Sequence, residues 1–535
     1  MNNIKQRLLA SAVEKFNSGD LAAAAEIYRK VVESYPDCAE AWQGLGGIHA
    51  MSGQYNEALS CSSLAARLDP GNKPAISNLA KIHMVLGNNA DAIAGFRMVV
   101  SSDPDDLTAM YHLGVLLRNT GEYTESRRIF ERLYRIMPDN PEAIYNLGEA
   151  YYCEANLALS ERYNRLFLEK DPDNISAYKC LAIVLREQCK YSEAEILLEG
   201  AVRKFDECEE LEFMLAEVLL LQEKFLPGWE AWEARFRNAK QKQLVSRYRY
   251  PRWEGQSLDG KGLLAFSEQG VGDEVMFASF FRDIMDVAER CVIECDPRLT
   301  PVFGRSFPAA TIIPRDAGAI RMLDAVEPDY QSPVGSLPRL LDPLLEKPLR
   351  KLPYLLADSG MSRVWNERLA ALAPGKLNVG ISWYGGTNNK VAHIRSIDLP
   401  EWKTVLEVQD INFINLQHGT RRSDADAFSG ETGLQLHTWD DADPVRDLDM
   451  FLAMLSALDL VISVDNSTVH LAGAVGTTTW LCLPFAPDWR WGGDGPGCYW
   501  YGSVELFRQP KAGGWKPVLS KVTGRLRKLR DAGSQ

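Results

Sequence analysis

Five prolines recur at a fixed interval near the start of the chain. Pro36, Pro70, Pro104, Pro138 and Pro172 each lie 34 residues after the one before. Proline has no backbone N–H and ends a helix, so this spacing indicates a helical unit that stops at the same place in every repeat. Small and large residues recur in the same phase, among them Trp42, Leu45, Gly46, Ala58 and Ala65, then Leu113, Gly114 and Phe130. The pattern predicts two antiparallel helices per unit, with glycine or alanine where the helices approach closely.

This pattern resembles the tetratricopeptide repeat. Five units end in the phased proline; a further unit has Asp206 in its place, and a looser helical stretch runs to about Phe225. Residues 1–225 are therefore expected to form an all-α superhelix. The concave groove of such a solenoid binds an extended peptide or a partner protein. The alternative is a packing scaffold without a ligand.

Composition narrows the class of protein. A length of 535 residues suggests three or four domains, and 46% hydrophobic with 24% charged residues is typical of globular chains. The net charge of −13 disfavours nucleic acid as a partner, because that affinity depends on clustered Lys and Arg. The chain shows neither a signal-peptide pattern nor an apolar run of membrane-spanning length, and we expect it to be cytoplasmic. The ten cysteines lack CxxC pairs and are interpreted as reduced core residues.

The rest of the chain alternates strands and helices. Residues 226–260 form an aromatic-rich connector, expected to pack one domain against the next. Short apolar runs separated by glycine turns and helical stretches then predict two Rossmann-like α/β domains, at 261–376 on the acceptor side and at 377–535 on the nucleotide-sugar side with a C-terminal helix. Their strands are predicted at 262–267, 291–295, 310–314, 378–383, 412–416, 434–439, 460–464 and 478–483. Two such domains leave a cleft where their strands end, and ligands of open α/β sheets bind there.

Chemistry-bearing residues follow the first of these strands. The loop Ser267–Glu274 reads SEQGVGDE, and its glycines permit a tight turn into a helix. Asp273 either faces the cleft as a functional carboxylate or caps the helix, and spacing alone does not separate the two.

A second polar turn follows the strand at 460–464. Asp465, Asn466, Ser467 and Thr468 begin a helix there, and a helix N-terminus with hydroxyl side chains is a ready site for phosphate. His470 lies near the same helix end, where it is placed to donate a hydrogen bond to a leaving group; the alternative is a structural histidine.

The third candidate loop follows the strand at 378–383. Ser382, Trp383 and Gly385 let a ligand approach the backbone, and Arg395 beside Ser396 is suited to pair with phosphate. A solvated surface arginine is the alternative for Arg395. The pairs Asp424/Asp426 and Asp441/Asp443 match a metal-binding pattern, but in so acidic a chain they arise freely, and no metal site is predicted.

Several motifs carry a second resemblance, over residues 227–517. GWEAWE at 228–233, EQGVGDE, VDNSTVHLAGAVG, LPFAPDWRW and ELFRQP are similar to bacterial tetratricopeptide-repeat glycosyltransferases. The catalytic half of those proteins is similar to the heptosyltransferases of glycosyltransferase family 9, which have the GT-B fold. The chain departs from the pattern before Arg395, where it has VAHI at 391–394 in place of an acidic, asparagine-rich segment.

The resemblance implies residue roles. In heptosyltransferase-like enzymes, the aspartate after a glycine in the first loop is the proposed general base, which matches Asp273. The polar turn and histidine of the last Rossmann helix bind the nucleotide diphosphate there, which matches Ser467, Thr468 and His470. Glu274 and His470 are further catalytic candidates. From the loops and the resemblance together, the nucleotide-sugar contacts are predicted at Gln269, Gly272, Ser382, Trp383, Gly385, Arg395, Ser396, Gln417, Asp465, Asn466, Ser467 and Thr468.

The resemblance also implies a function. The expected activity is metal-independent transfer of a hexosyl or nonulosonyl group to Ser or Thr of a protein held by the repeats, flagellin being one such acceptor. The nucleotide sugar is a co-substrate, and no cofactor is expected. Two alternatives remain: transfer to lipopolysaccharide or another glycan, and a non-catalytic adaptor with a degenerate core.

Overall fold

The computed structural model describes residues 2–533 except 317, 319–322, 324–325, 347–350, 387–393 and 496. Contacts between residues divide the chain into two compact units, Met1–Val184 and Leu185–Gln535. Among the described residues, no helix is both long and apolar enough to cross a membrane.

The first unit consists of paired helices, as the proline interval predicts. Its helices are α1 Asn2–Asn17, α2 Leu21–Ser34, α3 Ala39–Met51, α4 Tyr55–Leu68, α5 Lys73–Val85, α6 Asn89–Ser102, α7 Leu107–Asn119, α8 Tyr123–Ile136, α9 Pro141–Cys153, α10 Leu157–Lys170 and α11 Ile175–Glu187, the last of which runs past the end of the unit. The all-helical solenoid is confirmed.

Three of the phased prolines work together with a polar residue two positions later. Helix α4 ends at Leu68, two residues before Pro70, because the residue before a proline is pushed out of helical geometry. Asn72 then caps α5 by accepting a hydrogen bond from the backbone N–H of Ala75 at 3.0 Å. Asp106 and Asn140 cap the next two units in the same way. In these three repeats, a helix end and the next helix start are thus encoded within three residues.

Small residues set how closely the two helices of a unit approach. At Gly46 of α3, a Cβ atom would lie 2.3 Å from the hydroxyl oxygen of Ser62 on α4. At the adjacent Gly47, a Cβ atom would meet nothing within 4 Å. Position 46 therefore has no room for a side chain, whereas the neighbouring position 47 does.

This difference predicts opposite effects of two alanine substitutions. Gly46→Ala should destabilise the repeats by about 1–3 kcal/mol because it overpacks the interface. Gly47→Ala should stabilise them by about 0.5–1 kcal/mol because alanine favours the helix. Urea unfolding followed by far-UV circular dichroism measures both. Equal effects of the two substitutions would contradict a close approach at Gly46.

The second unit begins with further helices and continues into parallel sheets. Its helices are α12 Tyr191–Lys204, α13 Glu209–Leu221, α14 Phe225–Trp232, α15 Ala239–Val245, α16 Val271–Phe277, α17 Phe281–Val287, α18 Thr300–Ser306, α19 Leu337–Leu341, α20 Ser359–Ala370, α21 Lys403–Leu406, α22 Asp424–Thr432, α23 Leu448–Ser456, α24 Ser467–Val475 and α25 Lys516–Gly533.

Two sheets form the rest of the unit, and every strand pair in them is parallel. The first sheet has the order β3-β2-β1-β4 and the second the order β6-β5-β7-β8-β9. The strands are β1 Gly262–Phe266, β2 Arg290–Cys295, β3 Thr311–Pro314, β4 Tyr330–Pro333, β5 Leu377–Ser382, β6 Ile411–Asn415, β7 Leu460–Val464, β8 Thr479–Leu483 and β9 Val504–Arg508. Buried apolar strands such as β1 and β7 are typical of sheets covered on both faces.

One predicted strand is wrong and two were missed. The segment 434–439 does not form a strand, because only His437 pairs with the sheet, through a single bridge to Ile414 at the outer edge of β6. Strand β4 was missed because its sequence, YQSP, lacks an apolar run. The buried amide of Gln331 instead donates to the carbonyl oxygens of Tyr248 and Tyr250 at 3.3 and 2.6 Å, which holds β4 in place. Strand β9 was also missed.

The aromatic segment packs against the C-terminal part of the same unit. Trp229 and Trp232 on α14 are buried, and both rings lie against Trp489, with centroids 5.7 and 4.9 Å away. Trp229 also meets the ring of Trp500 edge-on at 6.4 Å. Such aromatic contacts add stability beyond the area they bury. Together with a hydrogen bond from Gly493 N–H to the Leu221 carbonyl at 2.8 Å, this tryptophan cluster (Trp229, Trp232, Trp489 and Trp500) fixes the segment that follows β8.

Candidate functional site

The sequence-predicted candidate loops lie at the carboxyl ends of parallel strands. The loop containing Asp273 follows β1, the one containing Gly385 follows β5, and the turn at Asp465 follows β7. Helix α16 packs against α24, so the first and second of the predicted loops meet. At Gly272, a Cβ atom would lie 3.1 Å from the His470 ring. A side chain at position 272 would therefore crowd the His470 ring.

Asp273 is not the cap of its helix. The N-cap of α16 is Gly270, and Asp273 lies in the first turn. One carboxylate oxygen of Asp273 accepts hydrogen bonds from Arg490 Nε at 2.8 Å and from Nη2 at 2.5 Å. The carboxylate of Asp273 thus points toward the loop after β8, a loop in which no site residue was predicted from the sequence.

Arg490 joins two carboxylates. Its Nη1 donates to Asp488 at 2.6 Å, and its guanidinium lies 4.6 Å from the ring centroid of Trp489. Burial disfavours the charged form, but the charges of Asp273 and Asp488 outweigh it and raise the pKa of Arg490 above its usual value. The same attraction to Arg490 outweighs burial at Asp488 and lowers the pKa of that carboxyl. Arg490 was missed as a site residue, although the motif LPFAPDWRW that contains it was recognised.

Asp465 and Arg395 lie beside this group. Arg395 Nη1 is 3.4 Å from an Asp465 oxygen, and its Nε donates to the Gly385 carbonyl at 3.3 Å. Burial, followed by repulsion from Asp488, raises the pKa of Asp465. At Gly385, a Cβ atom would lie 2.3 Å from the Asp465 carbonyl oxygen, so only glycine fits there. Arg395 is therefore partly buried against its neighbours rather than fully solvated.

His470 is buried and held on two sides. Its Nδ1 lies 2.8 Å from the Tyr501 hydroxyl, and its ring stacks on Trp491 with centroids 5.1 Å apart. These contacts orient the ring so that the edge with Cδ2 and Nε2 lies nearest Gly272. Burial, assisted by the positive charge of Arg490, lowers the pKa of His470 to about 3. The imidazole is therefore neutral at pH 7.

The neutral His470 predicts a pH dependence of stability. Between pH 6.5 and about 3 the unfolded chain binds a proton at this residue that the folded chain does not bind, so stability falls as the pH falls. From pH 7 to pH 5 this histidine should cost about 2 kcal/mol. Denaturant unfolding of the wild type and His470→Asn at both pH values measures it. An identical pH slope for the two proteins would contradict the low pKa.

A polar frame holds the ends of β5, β6 and β7 together. Asn466 donates to the Ser382 hydroxyl at 2.8 Å, and Gln417 accepts from the backbone N–H groups of Trp383 and Tyr384 at 3.0 and 2.9 Å. Ser396 accepts from Gly385 N–H at 3.0 Å. These side chains form hydrogen bonds with atoms of the loops themselves. In the structure they position the loops, and their contact with a nucleotide stays a prediction.

The start of α24 lies within this frame. Asn466 is the N-cap and accepts from Thr468 N–H at 3.0 Å. Ser467 is half-buried, whereas Thr468 is buried, with a hydroxyl that has no hydrogen-bond partner among the described residues. The N-terminus of α24, which carries the positive end of the helix dipole, therefore lies beside Asp465, His470 and Gly272.

Two glutamates of the first loop have structural contacts. Glu274 is buried, pairs with Arg315 at 2.9 Å and accepts from Asp296 N–H at 2.8 Å; it stays a predicted catalytic residue without a contact to Arg490. Glu268 pairs through both oxygens with buried Arg235, at 2.9 and 2.7 Å. Breaking such a buried pair is strongly destabilising. Arg235 and Glu268 thus anchor the loop that carries half-buried Gln269 and Asp273.

Other predicted features fall elsewhere. Residues 391–393 of the divergent VAHI segment lie outside the described residues. In the Asp-x-Asp pairs, Asp424 lies 3.5 Å from Arg421 and Asp441 2.6 Å from Arg368.

Comparison with known proteins identifies the repeats. The tetratricopeptide repeat family matches residues 9–73 and 77–141. Protein FlbA of Caulobacter vibrioides is 32% identical over 375 residues, which is 66% of this chain and 62% of FlbA. The chain thus spans less than two thirds of the length of that relative. Helices α1–α14 end at Trp232, so an alignment over 66% of the chain also includes part of the parallel-sheet region.

Solved structures with similarity are also repeat proteins. YrrB, described as a tetratricopeptide-repeat protein with an unusual peptide-binding site, is 22% identical and covers 32% of this chain and 88% of its own, with a TM-score of 0.31. A tetratricopeptide-repeat protein from Parabacteroides merdae is 18% identical and covers 45% of this chain and 97% of its own, with a TM-score of 0.35. This chain contains tetratricopeptide repeats followed by parallel α/β sheets.

Proposed function

We propose that this protein is an O-glycosyltransferase of GT-B type that transfers a sugar from a nucleotide-sugar donor to Ser or Thr of a protein acceptor. The observation that carries the proposal is the meeting of Asp273, His470 and Arg490 where strands of two parallel sheets end. Open α/β sheets bind ligands at that edge. The motif resemblance given above supports the same activity.

The proposed reaction assigns one role to each group. Asp273 accepts the proton of the acceptor hydroxyl while that oxygen attacks the anomeric carbon of the sugar. The bond between that carbon and the phosphate oxygen breaks, and its electron pair leaves with the nucleotide. The N-terminus of α24, Arg395 and Arg490 offset the negative charge that develops on the phosphate. Neutral His470 donates from Nε2 to the departing nucleotide.

The repeats supply the acceptor side of the proposal. Tetratricopeptide solenoids present an extended surface to peptides and proteins, and five of the units here have the phased proline. By the motif resemblance, flagellin is the first acceptor to test.

Nucleotide binding tests the proposed donor site. One of UDP, CMP, GDP and ADP at a concentration 100 times its dissociation constant should stabilise the second unit by about 2.7 kcal/mol. That corresponds to an upward shift of several degrees in its thermal unfolding. Absence of a shift with all four nucleotides would contradict the donor site and favour an adaptor.

Substitution of Asp273 tests the proposed general base. Asp273→Ala should lower the rate of transfer by about 100-fold to 10,000-fold, because general-base catalysis contributes that much, while nucleotide binding persists. The full chain is co-expressed with flagellin, and the intact mass of the flagellin reports transfer.

Asp441→Ala serves as the control, because it removes a surface carboxylate paired with Arg368 away from the site. Full activity of Asp273→Ala would remove the base assignment. Modified lipopolysaccharide beside unmodified protein would show a different acceptor.

A further inference from the structure

Asp273 and the proposed phosphate compete for the same guanidinium. Arg490 donates from Nε and Nη2 to Asp273 and from Nη1 to Asp488. Both of the hydrogen bonds to Asp273 end on the same carboxylate oxygen. That oxygen is turned toward Arg490, so in this arrangement it does not face a hydroxyl.

The surroundings of the Asp273–Arg490 pair show how an anion could separate the two side chains. Asp273 and Arg490 are both partly accessible, with 18% and 17% of their side chains exposed, so an anion can reach the pair. Arg395, which lies 3.4 Å from an Asp465 oxygen, is a second cation of the group. Asp488 keeps one contact to Arg490 whichever anion takes the other nitrogens, and Trp489 supports the guanidinium plane.

We propose that the phosphate of the nucleotide donor takes over the Nε and Nη2 hydrogen bonds of Arg490 and thereby frees Asp273 to act as the base. This exchange rests on the proposed function, and it adds regulation to the same site. Arg490 holds this carboxylate oxygen until donor is bound. Donor binding therefore precedes the contact of that oxygen with the acceptor hydroxyl.

The exchange predicts an increase in affinity from loss of a carboxylate. Asp273→Asn removes the charge that competes with the phosphate, so the nucleotide that shifts wild-type unfolding should bind about three- to tenfold more tightly. Arg490→Gln should bind it at least about tenfold more weakly, and Arg490→Lys should be intermediate because it cannot make the two-nitrogen contact. Isothermal titration of the full-length variants with UDP, CMP, GDP or ADP measures these dissociation constants.

A matched control exists in the same unit. Asp449 pairs with Arg305 through both oxygens, at 2.5 and 3.1 Å, and is not part of the site. Asp449→Asn should leave the dissociation constant unchanged, which shows that loss of an arginine partner in general does not tighten binding. Thermal unfolding of each variant confirms that it is folded, and Arg490→Lys provides a second test should Asp273→Asn not fold.

The outcomes separate the two proposals. Tighter binding by Asp273→Asn with weaker binding by Arg490→Gln supports the exchange. Nucleotide binding that Asp273→Asn leaves unchanged or weakens, or that Arg490→Lys preserves in full, overturns the exchange and keeps the donor site. Failure of the wild type and both variants to bind any nucleotide overturns the proposed function and the exchange with it.

Discussion

The tryptophan cluster is the contact on which the candidate site depends. Trp229 and Trp232 come from the last paired helix, α14, and Trp489 and Trp500 flank the segment that carries Arg490. Trp500 also donates to the Arg490 carbonyl at 2.9 Å. Large aromatic side chains bury much apolar area. The tryptophan cluster therefore holds the loop after β8 as firmly as a core segment. An arginine held on such a loop can serve as a fixed charge.

The charge of the candidate site comes from a few carboxylates and arginines. Asp273, Asp465 and Asp488 face Arg395 and Arg490, and the neutral His470 adds no charge. Removal of Arg490 leaves Asp273 and Asp488 partly buried without their shared cation, which is costly. An anion that entered this group would change its charge balance more than a neutral molecule would.

Much of the fold could be predicted from the sequence because its signals are local. Proline spacing and apolar runs act over a few residues, and they predicted the repeats and most of the strands. Strand β4 escaped because its stability comes from Gln331 bonding to a distant segment, which no local pattern shows. Within the site, glycine loops and the polar helix start were visible in the sequence. The pairing of Asp273 with Arg490 was not, because it joins residues 217 positions apart.

The last paired helices, α13 and α14, belong to the second compact unit, whereas α1–α10 belong to the first. In a repeat array each unit contacts chiefly its neighbours in sequence, so such arrays tolerate the gain or loss of whole repeats. The reach of the array and the chemistry of the site are then free to evolve separately. Relatives with longer or shorter arrays are expected to keep the tryptophans of α14 while the number of proline-phased units varies.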